Sequence, residues 1–181
     1  MDDAADGGKV KERYNGSGAT VRGFNVEGRA AFTRWFELQA GVTLQQSRYK
    51  EPEFWSEDAE VPPVRRMFRT PDAYGYFTAS FKPVRNFTAD LSGTCTGSML
   101  VQHMAGSGVA QDVAVSTPSF FDMNIRLSYD VRIYKEITMQ LYGGVQNLFN
   151  AYQKDFDKGV DRDSGYIYGP SMPRSLSLIH I

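Results

Sequence analysis

Four aspartates within ten residues make Lys154–Asp163, with the sequence KDFDKGVDRD, the most chemically suggestive segment of the chain. Carboxylates at such spacing are oxygen ligands that Ca²⁺ prefers, as in the loop of an EF-hand. The match to that loop is partial. Gly159 falls at position five when Asp155 is counted as position one, whereas the loop requires glycine at position six and a closing glutamate. A solvated loop explains the same composition, so we predict no metal site.

A second group of residues could bind an anion. Arg65, Arg66 and Arg69 lie close in sequence to Trp55 within one long polar segment. Guanidinium groups bind carboxylates and phosphates, and an aromatic ring adds a stacking surface. These four residues are therefore the weak ligand-binding candidates of the sequence. The alternative is a structural role, because local ion pairs could use the arginines with the acidic residues of the same segment, Glu51, Glu53, Glu57, Asp58 and Glu60.

Catalytic residues are not indicated by the sequence. His103 stands near a strand end without a metal or catalytic partner close in sequence, and no serine lies in a nucleophile motif. The single cysteine, Cys95, cannot form an internal disulfide and falls in an apolar register. We therefore predict no enzyme activity and no cofactor. The formal net charge of −1 gives no basic footprint for a nucleic-acid partner.

The elements that position these residues must be strands, because the sequence alternates with a period of two. In Phe120–Ile133 the odd positions from 121 are apolar and the even positions from 122 are polar. Strands in soluble proteins are usually about five or six residues long. Similar alternation predicts five more long strands and a seventh from Pro173: Thr20–Phe32, Phe36–Gln45, Ala73–Phe81, Phe87–Val101 and Ile137–Val145.

The connections between these strands alternate in length. The short ones are Thr33–Trp35, Lys82–Asn86 and Tyr134–Glu136, and the long ones are Arg48–Asp72, Ala105–Ser119 and Asn150–Met172. Aromatic residues crowd the rim with the short turns. This layout is typical of bacterial outer-membrane barrels. We predict an all-β fold, an antiparallel up-and-down transmembrane β-barrel segment of about seven long strands, open as a partial barrel. A large soluble barrel or sandwich remains the alternative.

A string near the end of the chain resembles a known family. Val145–Tyr152 reads VQNLFNAY, and the segments Tyr168–Pro170 and Pro173–Arg174 follow. This string resembles the C-terminal end of TonB-dependent outer-membrane receptors. Physically, asparagines can bond the local backbone where a ladder ends, and prolines delay the next regular strand. The matching residues are Asn147, Leu148, Phe149, Asn150, Tyr152, Gly169, Pro170, Pro173 and Arg174.

The resemblance implies a barrel of about 22 strands, plugged by an N-terminal domain, in the bacterial outer membrane. Such a protein imports a scarce ligand, a siderophore, haem, cobalamin or glycan, with energy transmitted by the TonB complex. The implied partners are outer-membrane lipid, the plug, further strands of the same chain and the ligand. The open alternatives are a passive porin-like or adhesin-type barrel and a soluble β-sheet binding module.

Counting strands and turns leads to an expectation about the extent of the protein. A complete bacterial barrel has an even number of strands, so we expect the chain to be the C-terminal part of a larger barrel. Residues 1–18 are then a remnant of an outer loop, and 19–175 belong to the barrel. Residues 176–181 read LSLIHI, which the first codons of a transposase-based sequencing adapter would encode. We therefore expect these six residues to be a non-native tail.

Overall fold

The computed structural model describes residues 16–180, with side chains as far as Leu178. Most of the predicted loop remnant, residues 1–15, and Ile181 of the predicted tail lie outside the described residues. No helix among residues 16–180 is long and apolar enough to cross a membrane. The described residues form ten strands: β1 (Ala19–Thr33), β2 (Phe36–Glu53), β3 (Val64–Arg66), β4 (Ala73–Val84), β5 (Phe87–Thr96), β6 (Leu100–His103), β7 (Val113–Ser116), β8 (Phe120–Tyr134), β9 (Ile137–Gln146) and β10 (Ser175–His180).

Seven of these strands form one antiparallel sheet in the order β1-β2-β4-β5-β8-β9-β10. The short strand β3 pairs with β2, and β6 and β7 form a separate hairpin. The predicted all-β antiparallel fold is confirmed. Consecutive long strands are neighbours, as the up-and-down prediction required. Within the described residues β1 and β10 each pair with one strand, so the sheet is open.

The strand register keeps apolar and polar residues on opposite faces across the whole sheet. Side chains of a strand alternate between faces, so a register that is held across seven strands produces continuous rows. One row of directly paired apolar residues crosses all seven strands: Ala30, Leu38, Ala79, Leu91, Ile125, Val145 and Leu176. The next row on the other face runs from β2 to β10 through Glu37, Ser80, Asp90, Arg126, Gly144 and Ser177.

The apolar face of the sheet is exposed. Phe24 is 67% exposed, Leu127 44% and Ile137 60%. In contrast, the buried hydrophobic residues Val61, Val101 and Tyr166 all lie outside the seven-stranded sheet. The close packing of the described structure is therefore in its long connections, and the sheet leaves its apolar face without a protein partner among the described residues.

Aromatic side chains cluster at the rim that carries the short turns, as predicted. Phe32 and Phe36 stack with ring centroids 5.7 Å apart. Trp35 contacts the edge of Phe81 at 5.3 Å. The first contact joins β1 to β2 and the second joins the turn between them to β4, so the rings form a band at one edge of the apolar face.

Two predicted strand boundaries were wrong by more than three residues, and β4 ends at Val84 where Phe81 was predicted. β5 ends at Thr96, not at Val101, because the chain leaves the main sheet there. Gly97 N donates to Ala73 O at 2.8 Å, and Met99 N donates to Thr117 Oγ1 at 3.1 Å. Leu100–His103 then pairs with β7 instead. A pattern of alternating residues continues through this point and cannot reveal a change of sheet.

The other boundary is the end of β2, which extends to Glu53 and not to Gln45. Two pairings support this extension: Lys50 N donates to Gly18 O at 3.0 Å, and Arg48 pairs with Arg66 of β3. At the opposite end of the chain β10 begins at Ser175 and places Leu176 and Leu178 opposite Val145 and Gly143 of β9. The alternating Leu-Ser-Leu pattern favours this pairing whatever its origin, so the non-native tail stays a prediction.

Candidate functional site

The polar face of the sheet forms a cavity of about 880 Å³ at the end where the long connections begin. Its floor comes from strands β4, β5, β8 and β9, and residues 170–173 cover one side. Strand pairing explains the composition, because every second residue of these strands points into it. The polar and aromatic lining includes Asp90, Asp122, Asn124, Arg126, Tyr142 and Gln146.

Charged and aromatic groups in this cavity hold one another in place. The Arg126 guanidinium lies 4.5 Å from the centre of the Tyr142 ring, a favourable cation–π distance. Asp90 accepts a hydrogen bond from the Ser80 hydroxyl at 2.7 Å. The cavity can therefore present a cation, carboxylates and an aromatic ring to one polar ligand.

Asp122 is the least satisfied of these groups. Its Oδ1 atom is buried and has no hydrogen-bond partner among the described residues. The same residue lines a second cavity of about 320 Å³, together with Phe120 and Tyr168. A buried carboxylate oxygen without a donor is unfavourable. A hydrogen bond from a ligand to Asp122 would therefore stabilise binding more than one to the satisfied groups of the cavity.

Above the cavity, the long connections are held together by a buried pair. His103 of β6 places Nε2 3.0 Å from both carboxylate oxygens of Asp157. Their side chains are 8% and 4% exposed. The imidazole also stacks on Tyr166, with centroids 3.7 Å apart and rings 6° from parallel. The hydrogen bond from His103 holds the pKa of Asp157 below its ordinary value.

Two tyrosines share the neighbouring aspartate. Tyr168 Oη donates to Asp155 Oδ1 at 2.6 Å, and Tyr166 Oη donates to Oδ2 at 3.0 Å. Burial raises the pKa of Asp155, but the two hydroxyl donors outweigh burial, and the pKa lies below its ordinary value. Burial, followed by the hydrogen bond to Asp155, raises the pKa of Tyr166 to about 12 and also raises the pKa of Tyr168.

Further carboxylates bind backbone amides between connections. Asp163 accepts from Met104 N at 2.8 Å and from Gly165 N at 2.8 Å. The Ser56 hydroxyl at 2.6 Å and Ala105 N at 2.7 Å both donate to Asp112. These two donors hold the pKa of Asp112 below its ordinary value. All three long connections are thus joined by hydrogen bonds to aspartates.

These contacts account for three of the four aspartates of Lys154–Asp163. Asp155 binds two tyrosines, Asp157 binds a histidine, and Asp163 binds amides. Among the described residues no three His, Cys, Asp or Glu side chains are grouped so as to hold a metal ion. Asp157 and Asp163 join this connection to the β6–β7 region, and Asp155 links two parts of its own connection.

The four predicted ligand-binding candidates do not share one partner. Arg66 Nη2 pairs with Asp72 at 2.9 Å and donates to Ser98 O at 2.7 Å. Arg69 donates to the carbonyl oxygens of Ile167, at 2.8 Å, and of Gly165. Both arginines therefore have structural contacts.

Trp55 and Arg65 complete that group. The Trp55 ring packs edge-on against Phe68 at 5.3 Å, and its Nε1 donates to Pro62 O at 3.3 Å. Arg65 is exposed, and its guanidinium has no hydrogen bond or ion pair within residues 16–180. Of the four, Arg65 is the side chain that remains open to a ligand.

Residues of the resemblance string form the exit from β9. Asn147 has φ of 50° and is 4% exposed. Its Nδ2 donates to Met172 O at 2.9 Å and to Ala151 O at 3.1 Å, while its Oδ1 accepts from Ala151 N at 2.8 Å. Asn150 has φ of 56°, and its Oδ1 accepts from Arg174 N at 3.0 Å. Asn147 bonds the local backbone at Ala151, as predicted, whereas the Asn150 side chain bonds the backbone of Arg174, 24 residues away.

The remaining residues of the string pack around this exit. Leu148 N donates to Met123 O at 2.7 Å, and Arg174 Nη1 donates to Leu148 O at 3.4 Å. Phe149 lies 5.7 Å from Phe121 on the exposed apolar face.

The second half of the string continues this packing beside the cavity. Tyr152 is half-buried below the Lys154 ammonium, which lies 5.6 Å from its ring. Gly169 abuts the Phe120 ring, where a Cβ would come within 2.6 Å. Pro170 accepts from Gln153 N at 3.1 Å, and Pro173 lines the cavity.

Sequence reasoning missed the pair of His103 and Asp157 and the floor of the cavity. His103 was judged to have no partner near in sequence, and its partner is 54 residues away. The available signal was the alternation itself, because Asp90, Asp122 and Arg126 all fall on the polar register of adjacent strands.

Comparison with known proteins adds no identity. No family model matches the chain, and no curated protein matches it significantly.

Proposed function

We propose that the chain forms part of the wall of a β-barrel in the bacterial outer membrane and that the whole protein is an active importer of the TonB-dependent class. The observation that supports this most is the exposed apolar face. It extends over seven strands in register and includes Val26, which is 47% exposed, and Leu141, which is 38% exposed. Water-soluble monomers rarely expose such continuous apolar surface, whereas lipid covers it in a barrel.

The dimensions of the strands support the same location. β8 has 15 residues and β5 has 10, and a tilted strand needs about 9–11 residues to cross the hydrocarbon of a bilayer. The ring cluster around Trp35 at the short-turn rim suits an interfacial aromatic girdle. The turns on that rim then face the periplasm, and the long connections face outward.

The cavity on the polar face is suited to binding a polar ligand. Its cavity of about 880 Å³ falls within the range of about 300–1,000 Å³ that is usual for small-molecule sites. Carboxylates, a guanidinium, amides and a tyrosine line it. A siderophore, haem, cobalamin or glycan each stays possible as the ligand. Active import, with TonB as the energy source and a plug as a partner, rests on the resemblance of the string at 145–174.

The membrane location is tested by folding the chain with and without lipid. We expect native strand content only in vesicles or detergent micelles, and flotation of the folded chain with vesicles. A monomer that folds natively in detergent-free buffer would contradict the membrane location and favour the soluble binding module.

Active import is tested separately in cells whose outer membrane contains the protein. Uptake of radiolabelled ferrichrome, haemin, cyanocobalamin and maltotriose is measured before and after the inner-membrane proton gradient is collapsed. An importer of this class should take up one probe only while the gradient exists. Uptake that persists without the gradient would indicate a passive porin-like barrel.

A further inference from the structure

The turns at the aromatic rim contain a second group of charges, and it is entirely basic. A cavity of about 510 Å³ lies between the turn of β1 and β2 and the turn of β4 and β5. Arg34, Lys82 and Arg85 line it, together with Trp35 and Val84, and no acidic residue does. Arg34 and Arg85 lie in the two turns and Lys82 lies near the end of β4. These three like charges repel one another, so a bound anion would stabilise the arrangement.

The carboxylates near these turns are already engaged. Glu37 lies close enough to Lys82 for their charges to interact, but Glu37 accepts a hydrogen bond from Arg29. Asp90 accepts its hydrogen bond from Ser80. Neither carboxylate lines the basic cavity, so neither fills the place of an anion there.

The surroundings of the cavity identify the source of that anion. Trp35 is 43% exposed, Val84 59% and Phe81 39%, and the Trp35 ring contacts Phe81 of the apolar face. One side of the basic cavity, at Trp35 and Val84, therefore borders exposed apolar surface, and Thr88 on the other side belongs to the polar face. A free phosphate would leave that surface uncovered, whereas a phospholipid would cover it with its acyl chains.

We propose that Arg34, Lys82 and Arg85 form a binding site for the phosphate group of an anionic phospholipid at the short-turn rim. This site rests on the proposed membrane location. It requires no particular transported ligand, because the cavity lies at the opposite end of the strands from the long connections.

Trp35 lies in the cavity and can report on the bound lipid. The chain has two tryptophans, and a Trp55→Phe background leaves Trp35 as the single emitter. The chain is placed in vesicles of phosphatidylcholine that contain increasing fractions of brominated phosphatidylglycerol or of brominated phosphatidylcholine. Bromine quenches tryptophan on contact. We expect half-maximal quenching at a lower fraction of brominated phosphatidylglycerol than of brominated phosphatidylcholine.

Variants separate specific binding from general attraction. Each of Arg34→Gln, Lys82→Gln and Arg85→Gln should weaken the preference for phosphatidylglycerol about fivefold, and the triple variant should abolish it. The matched control is Arg132→Gln with Lys135→Gln, of which Arg132 lies near the end of β8 and Lys135 in the turn that follows, on the same rim. Lys135 lies 5.2 Å from the Tyr134 ring, and neither residue lines the cavity. The control should keep the full preference.

The outcomes also separate this inference from the proposed function. Equal quenching by both brominated lipids, or equal loss in the control variant, would overturn the phospholipid site and leave the membrane location intact. A preference for phosphatidylglycerol that survives in the triple variant would overturn the assignment to these three residues. If neither brominated lipid quenches Trp35, the membrane location itself fails.

Discussion

His103 and Asp157 join two connections that lie 54 residues apart, with Nε2 3.0 Å from each carboxylate oxygen. Both side chains of the pair are buried, and the pair links the β6–β7 hairpin to the segment 147–174. Because the Tyr166 ring stacks on the imidazole, the histidine is fixed by both a hydrogen bond and a flat aromatic contact. The hairpin is thereby attached to the segment that covers the cavity.

Replacement of His103 should release this hairpin without unfolding the sheet. In His103→Ala the Asp157 carboxylate loses its side-chain donor, keeps the donor Asp163 N and stays largely buried, so local opening should be about tenfold more frequent. Hydrogen exchange of residues 100–116 measures the change, and strands β5 and β8 should keep their protection. Asp161→Asn, in the same acidic segment but exposed, is the control and should exchange like the wild type. Unchanged exchange in His103→Ala would mean that the pair does not attach the hairpin.

High pH should loosen the same connections through Tyr166. Its pKa is raised to about 12 from the ordinary value of 10.0, first by burial and then by its hydrogen bond to Asp155. The folded state thus favours the neutral phenol. The stability from this group is full below pH 10 and is lost as the pH rises through about 12.

Tyrosinate absorbance and near-ultraviolet circular dichroism measure this transition together. We expect one group of tyrosines to ionise late and to change the dichroism as it does so. The double variant Tyr166→Phe and Tyr168→Phe should remove the late phase. A late phase that survives in the double variant would assign it to other tyrosines.

Asn147 should be the most sensitive residue at the exit from β9. Asn147→Ala removes three side-chain hydrogen bonds at a buried site and places alanine at φ of 50°. We expect a loss of about 3 kcal/mol in the free energy of unfolding. Asn147→Gly also removes the bonds but tolerates the positive φ, so it should lose about 1 kcal/mol less. Denaturant titration of the lipid-bound chain compares them, and equal losses would exclude backbone strain.

Two glycines of the apolar face should differ in how strongly the same substitution changes the stability of the sheet. A Cβ at Gly93 would lie 2.9 Å from Phe77 Cζ, whereas a Cβ at Gly28 would meet no atom within 4 Å. Gly93→Val should therefore destabilise the sheet by about 1–3 kcal/mol through overpacking. Gly28→Val should change its stability by less than about 0.5 kcal/mol. The denaturation midpoints of the two variants test this, and similar midpoints would contradict the cross-strand packing of Phe77 over Gly93.

Most of the main sheet could be predicted from the sequence, because alternation is a local property that each strand displays by itself. Phe120–Ile133 was predicted within one residue of β8 at its C-terminal end. The assignment of residues to the two faces of the sheet could also be predicted, since Asp90, Asp122 and Arg126 fall on the polar register. What alternation could not predict is the β6–β7 hairpin, whose strands have four residues each, too few to show a period.

The candidate site was less predictable than the sheet for a related reason. Contacts between connections depend on how three segments fold back on one another. Arg69 was considered for ligand binding and instead donates to the backbone carbonyl of Ile167, 98 residues away. The segment Lys154–Asp163 is predicted as a solvated loop, yet three of its aspartates bond His103, tyrosines and amides, and Asp157 is buried. Residue type indicated polar contacts, but only the folded connections determine which partners are met.

The central claim, that the apolar face meets lipid and the polar face meets water, is tested most directly at two adjacent residues. Cys95 lies on the apolar face opposite Gly75 and Phe121, and Thr94 lies on the polar face opposite Tyr76 and Asp122. Both residues are exposed, and Cys95 is the single cysteine of the chain. A nitroxide label can therefore be attached at Cys95 directly, or at position 94 in Cys95→Ser with Thr94→Cys.

Spin-relaxation accessibility of these two labels in lipid vesicles is the decisive measurement. Oxygen concentrates in the hydrocarbon of the bilayer, and a nickel chelate stays in water. We predict that the label at Cys95 relaxes faster with oxygen and the label at Thr94→Cys relaxes faster with the nickel chelate. Equal access of the nickel chelate to both labels, or the reverse preference, would contradict a lipid-facing apolar surface.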